Sequence, residues 1–282
     1  FRYSSSSISP QVSSYKNLIL SGTSAKTLAA NITIDESLQL SGSFGTDNVP
    51  AARLSLGSYT LTYGSSAVLR YGTAGQTLSQ IVSADEWPAT AGPNSVQLYN
   101  TVGLTLSLPR TIATTLTLTN GVLTHGGNLS IASGGTISRA IGTLATAPNF
   151  GTTANLVYTS STQKVTTGVE LPPASGNILQ HLTINTSQGI IAGSDINCTG
   201  TLTLTNGIAD LGANNLTAAA VSGGSATSYI NTDGVGLFTI KNIAATPTSF
   251  PVGNSSYTPV SITNAGTADN FSLNVSNVLP SF

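Results

Sequence analysis

The chain has 282 residues, with nine basic and ten acidic side chains for a net charge of −1, and only 7% of it is charged, against roughly 25% in an ordinary globular domain. No basic stripe follows a phosphate backbone and no polybasic or lipidation motif holds an anionic membrane, so neither nucleic acid nor membrane insertion is an expected partner. No apolar run reaches a membrane span, low hydrophobicity with high charge is absent, and the lone Cys198 forbids an internal disulfide.

The surface is therefore wetted by Ser, Thr, Asn, Gln and Gly, a choice that suits the outside of a cell better than a crowded cytosol. Met is absent and the first residue is Phe1, which leads us to expect a processed chain or a fragment of a longer one, located extracellularly or on the cell surface.

In chain order, the elements are short runs that alternate an apolar residue with a polar one. They include Leu18-Ile19-Leu20, Leu38-Gln39-Leu40, Tyr59 to Tyr63, Leu69-Arg70-Tyr71, Val96-Gln97-Leu98 and Leu116-Thr117-Leu118-Thr119. Leu129-Ser130-Ile131, Leu156-Val157-Tyr158, Leu182-Thr183-Ile184 and Leu202-Thr203-Leu204-Thr205 continue the series. Period two is the mark of half-buried strands, and β-branched Thr suits a pleated surface. Asn120-Gly121 and Asn206-Gly207 supply the left-handed positions of tight corners. No stretch of ten or more residues has helical periodicity.

Self-similarity organises these runs. Thr115–Gly121 recurs identically as Thr201–Gly207, an offset of 201 − 115 = 86. The same offset carries Val96-Gln97-Leu98 onto Leu182-Thr183-Ile184; nearby offsets carry Leu69-Arg70-Tyr71 onto Leu156-Val157-Tyr158 and Glu86-Trp87-Pro88 onto Glu170-Leu171-Pro172. An earlier copy contains Leu18-Ile19-Leu20 and Ser37–Gly42, with an insertion near Gly45 to Ala52, and Phe1-Arg2-Tyr3 matches Leu69-Arg70-Tyr71, as if the chain began mid-repeat. About four coils of roughly 20 residues fit each repeat unit. Stacked coils put like side chains above one another about 4.8 Å apart, so an uncharged, repetitive composition suits them. The expected fold is all-β, a parallel β-helix or β-solenoid over residues 1–243, in units of about 1–66, 67–153 and 154–243. An antiparallel sandwich array is the second choice. From about Ala244 the prolines rise and the repeat stops, so 244–282 is expected to be a cap with β-sandwich-like character or the start of an immunoglobulin-like segment.

Chemistry-bearing residues are sparse. Glu86 and Glu170 occupy matching places in the repeat and Trp87 is the only Trp, which makes Glu86, Trp87 and Glu170 the candidate binding residues. The competing reading is a repeated loop in which Glu satisfies backbone donors and Trp87 or Leu171 packs as a lid. Neighbours on a strand point to opposite faces, so Asp85-Glu86 is not by itself a glycosidase pair. Asp35-Glu36 reads as a solvated corner beside a turn. Asp47, Asp195, Asp210, Asp233 and Asp269 are scattered singly, without the dense Asp-Gly tracts of calcium-binding repeats. His125 and His181 fall at non-equivalent places, and Cys198 has no neighbouring Cys, so no metal site is expected. No signature of a nucleophilic Cys surrounds Cys198, and no P-loop or dinucleotide fingerprint is present. Catalytic residues, cofactors and metals are all expected to be none.

Leu182-Thr183-Ile184-Asn185, Gly200–Gly207 and Phe250-Pro251-Val252-Gly253 resemble the Thr-, Asn- and Gly-rich repeat regions of very large secreted bacterial surface and adhesin-like proteins. The resemblance covers about residues 1 to 280 and implies a β-solenoid of structural or adhesive character, with no shared catalytic residues.

Three functions follow as expectations. The first is an extracellular structural or adhesive element, not an enzyme, that self-associates end to end into a filament or contacts a polysaccharide or cell surface. The second is a carbohydrate-active β-helix enzyme, a lyase or hydrolase. The third is an ice- or glycan-binding solenoid using Thr arrays such as Thr115-Leu116-Thr117 and Thr201-Leu202-Thr203.

Overall fold

The computed structural model describes residues 1–3, 7–8, 12–22, 26–41, 54–73 and 79–276. The insertion expected near Gly45 to Ala52, with Asp47, lies outside them. The fold is an all-β parallel solenoid of about eleven turns. Among the described residues there is no α-helix, only a single 3-10 turn at Ala174–Gly176 after Pro172-Pro173. Within each unit, every turn-to-turn pairing among the described residues of the repeat is parallel, which removes the sandwich array expected as second choice. The chain forms two compact units, Phe1–Gly151 and Thr152–Phe282.

In the first unit a turn of the coil is built from three short strands. Ser95–Tyr99, Leu104–Thr105 and Arg110–Ile112 make one turn, and Thr115–Asn120 opens the next. Each strand pairs in parallel with its counterpart in the following turn. Alternation then becomes columns. Leu18, Leu38, Leu69, Val96, Leu116 and Ile137 stand in register along the stack, as do Leu20, Leu40, Tyr71, Leu98, Leu118 and Arg139. All of these are buried. The other face carries Asn17, Ser37, Val68, Ser95, Thr115 and Thr136 in one column, and Ile19, Gln39, Arg70, Gln97, Thr117 and Ser138 in the next. Gln97 Nε2 donates to Thr119 Oγ1 at 2.9 Å, so an amide on this face is bonded to the neighbouring turn.

The second unit repeats the scheme. Leu156, Leu182, Leu202 and Val221 form one column, and Tyr158, Ile184, Leu204 and Gly223 its companion. The two identical heptapeptides occupy equivalent places. Thr115–Asn120 lies against Ser95–Tyr99 with a register break that sets Tyr99 opposite Asn120. Thr201–Asn206 lies against Leu182–Asn185 with the same break, which sets Asn185 opposite Asn206. Both heptapeptides end in a glycine with positive φ, +74° at Gly121 and +90° at Gly207. A Cβ on Gly121 would sit 1.9 Å from Asn100 O, and one on Gly207 1.8 Å from Thr186 O. The corner is closed so tightly on the preceding turn that only glycine fits it.

Most turns take about 20 residues, as from Leu182 to Leu202 (202 − 182 = 20). Among the described strands, three turns of the repeat are longer: Leu38 to Leu69 (69 − 38 = 31), Leu69 to Val96 (96 − 69 = 27) and Leu156 to Leu182 (182 − 156 = 26). The last two of these carry Glu86 and Glu170. Asp35-Glu36 is exposed as expected, but it lies inside the strand Ile32–Leu40 rather than beside a turn. The register breaks opposite it between Tyr15 and Asn17; Asn17 Nδ2 donates to Glu36 Oε2 at 2.9 Å and Ser14 Oγ to Asp35. A corner absorbed into a continuous strand leaves no Gly or Pro to mark it.

After Phe238–Ile243 a parallel pairing persists between Ile230–Asn231 and Val252–Asn254, and antiparallel pairings join it. Asp269–Leu273 runs antiparallel to Phe238–Ile243, Thr248–Phe250 to Val260–Ile262, and Val252–Asn254 to Ser256–Tyr257. Beneath them Phe238 and Phe250 are fully buried, edge to face at 5.7 Å. Asn274 Nδ2 donates to the carbonyls of Thr232, Gly234 and Gly236, which ties the returning chain to the last full turn.

Candidate functional site

The turns from Leu69 to Val96 and from Leu156 to Leu182 each hold a loop by a buried acid. In the first unit, Glu86 is fully buried and Trp87 nearly so. Glu86 Oε1 accepts the Ser83 amide at 2.6 Å and the Tyr71 hydroxyl at 3.3 Å, and Oε2 accepts Ser83 Oγ. The Glu86 carbonyl accepts the Tyr63 hydroxyl at 2.5 Å. Trp87 is fixed through its carbonyl, which accepts Arg110 Nε at 2.5 Å, while Arg110 Nη1 donates to Pro109 O at 2.7 Å. Burial first, then the nearby Glu86 charge, pushes the Tyr63 phenol well above its usual range. Burial also draws the Arg110 guanidinium down, opposed by Tyr71 and Glu86.

In the second unit, Glu170 is buried and Glu170 Oε1 accepts the Tyr158 hydroxyl at 2.9 Å and the Gly168 amide at 3.0 Å. Leu171 is buried in the place of Trp87. Tyr71 and Tyr158 are themselves equivalent in the repeat, so the same clasp is built twice: a tyrosine from the start of a long turn holds the acid of the loop that follows. Glu86 and Glu170 therefore belong to separate clasps. Their oxygens are turned to backbone amides and phenols inside the fold, and a buried acid so bonded is satisfied in place.

Beside the first clasp lies a groove of about 200 Å³ lined by Trp87, Pro88, Ala91, Pro93, Thr111 and Ala113. Ala91 holds a left-handed conformation, φ +56°. No carboxylate lines this groove. Asp85, next to Glu86, accepts the Leu56 amide at 3.3 Å through Oδ2.

The cysteine and both histidines are also engaged. Cys198 is buried, its Sγ donates to Gln180 O at 3.2 Å, and burial raises its thiol. His181 Nδ1 accepts the Thr201 amide at 3.3 Å. His125 Nδ1 accepts the Gly127 amide at 3.2 Å while Nε2 bonds Thr146 O at 3.0 Å, an arrangement that suits the neutral ring protonated on Nε2. Among the described residues no three His, Cys, Asp or Glu side chains come together to hold a metal ion. No described helix is long and apolar enough to cross a membrane.

Ser83, Tyr71 and Tyr158 were not legible as partners of the acids, nor Arg110 as the partner of the Trp87 carbonyl. The signal available was the offset of Tyr71 to Tyr158, which nearly equals that of Glu86 to Glu170. No family model, no curated protein and no solved structure matches this chain.

Proposed function

We propose that this chain is a structural and adhesive solenoid element, not an enzyme, which works outside the cell or on its surface and associates end to end. The observation that carries this reading is the disposition of polar groups. The outward columns are almost wholly uncharged, with Arg2 and Arg70 their only ionised members among the described residues of the first unit, while the acids that looked most like a site are consumed in holding loops. A surface of hydroxyls and amides suits stacking against like surfaces, since no charge must be desolvated. Electron microscopy and sedimentation of the purified chain test it: concentration-dependent filaments are expected, and discrete monomers at high concentration overturn the association.

A second reading has one specific observation behind it. Ser95 and Gln97, Thr115 and Thr117, and Thr136 and Ser138 form a half-exposed array of three strands by two columns. Such an array suits a glycan or ice surface. Thermal hysteresis and glycan-array binding, each lost with Thr115→Val plus Thr117→Val, would favour it.

A further inference from the structure

The parallel ladder of the second unit stops short on one side. Leu216, Thr217 and Ala218 pair with Phe238, Thr239 and Ile240 of the following turn. Ala220, Val221, Ser222 and Gly223 pair with Thr201–Leu204 of the preceding turn, and no described strand pairs with their opposite edge. The cause is at Asn242, whose φ of +56° turns the chain aside just after Ile240. The core feels the departure. Leu182 and Leu202 are fully buried, yet Val221, next in the same column, is half-exposed, and Gly223 of the companion column is exposed.

A groove of about 340 Å³ lies along this edge, lined by Ala220, Val221, Lys241, Ile243, Pro247 and Ser249 among others. A lysine is a usual guard of an open strand edge. Lys241 is the one charged residue on the groove, and its Nζ donates to Asn197 Oδ1 at 3.2 Å. Asn197 stands in register with Thr217 and Thr239, so the ammonium is bonded back across two turns of the sheet. The edge thus combines backbone groups without a strand partner and the half-exposed end of an apolar column.

We propose that the Ala220–Gly223 edge is a strand-docking site. Its occupant is an extended, uncharged segment of a partner polypeptide in which an apolar residue alternates with Ser or Thr. Continuity with the existing ladder specifies that chemistry. The apolar side chains of the added strand prolong Leu182, Leu202 and Val221, and its hydroxyls prolong Thr183, Thr203 and Ser222. Main-chain hydrogen bonds supply attraction and the two columns supply selectivity, as in other strand-addition complexes. A charged residue at an apolar position would be desolvated over Val221 without a partner. This goes beyond the end-to-end association, because the edge accepts a strand from any polypeptide with that pattern.

The probe is a fluorescent synthetic peptide with the sequence of Thr201–Gly207, titrated with the full chain. Saturable binding is expected, weakened at least tenfold by Val221→Lys in protein whose circular dichroism is unchanged. Two further peptides, N-methylated on one or the other alternate set of amides, leave the protein untouched. A strand gives every second residue to one neighbour, so one methylated peptide loses binding and the other keeps it. Equal binding of the two, or no binding of the parent peptide, overturns the docking site. Sedimentation of the full chain alone judges the end-to-end association separately, so the two ideas fail independently.

Discussion

Gly207 shows how a single residue closes a turn. Its φ of +90° already disfavours a side chain, and a Cβ would collide with the Thr186 carbonyl. Gly212 has φ +57° with nothing within 4 Å of a built Cβ. Gly207→Ala is therefore expected to cost about 3 kcal/mol or more, and Gly212→Ala only about 1 kcal/mol for its backbone conformation. Denaturant titration of the two variants separates collision from conformation. Tyr63 offers a second test. Burial and Glu86 raise its phenol, so the fold favours the neutral form. Its contribution is full below the unfolded value of 10.0 and is lost as pH rises through the higher folded value. Tyr63→Phe should flatten the fall of stability above pH 10 without abolishing it, because burial also raises Tyr229. Cys198 is raised by burial as well. Its thiol should resist alkylation at pH 8 in the native protein and react fully in guanidinium; rapid native labelling would contradict its placement.

At the scale of strands, the columns make charge costly in a way that one strand does not reveal. Thr183, Thr203 and Ser222 stand in register, and neighbouring turns are about 4.8 Å apart. Two like charges at that spacing repel by about 1 kcal/mol in water. Changing all three to Lys should cost more than the sum of the single changes, and 1 M salt should remove most of the excess. Additive costs would mean that the lysines splay freely into solvent.

The same columns explain what the sequence could tell. Alternation in Leu202-Thr203-Leu204 fixes which face each residue takes, and the identical heptapeptides fix that two turns share one geometry. Parallel stacking followed from composition, since Thr and Leu above Thr and Leu need no charge pairing. The clasps were harder to see. Tyr71 and Glu86 lie 15 positions apart in the chain, and period two says nothing about which loop returns to which phenol. Their acids looked like a cleft because a repeated Glu beside the only Trp has the composition of one. The open edge at Ala220–Gly223 was hidden for another reason: Asn242, whose left-handed turn creates it, is one Asn among many in this chain.

Across the whole molecule, stability is a sum of terms between successive turns. The first unit holds its turns by parallel ladders, and the second ends in antiparallel strands over Phe238 and Phe250. Phe250→Ala should cost about 3–5 kcal/mol, with the loss of amide protection greatest at the turns nearest Phe250 and declining toward Ala154, as hydrogen exchange would record. Uniform loss through the second unit would mean that its turns melt as one.

A turn of some 20 residues bonded only to the turns before and after it also dictates how this polymer yields to force. Tension applied along the chain should peel the strands like tape from a spool, each release freeing a loop of about 7 nm of contour at about 3.4 Å per residue. Such a protein lengthens under load in small, repeated increments and rewinds on the template left behind.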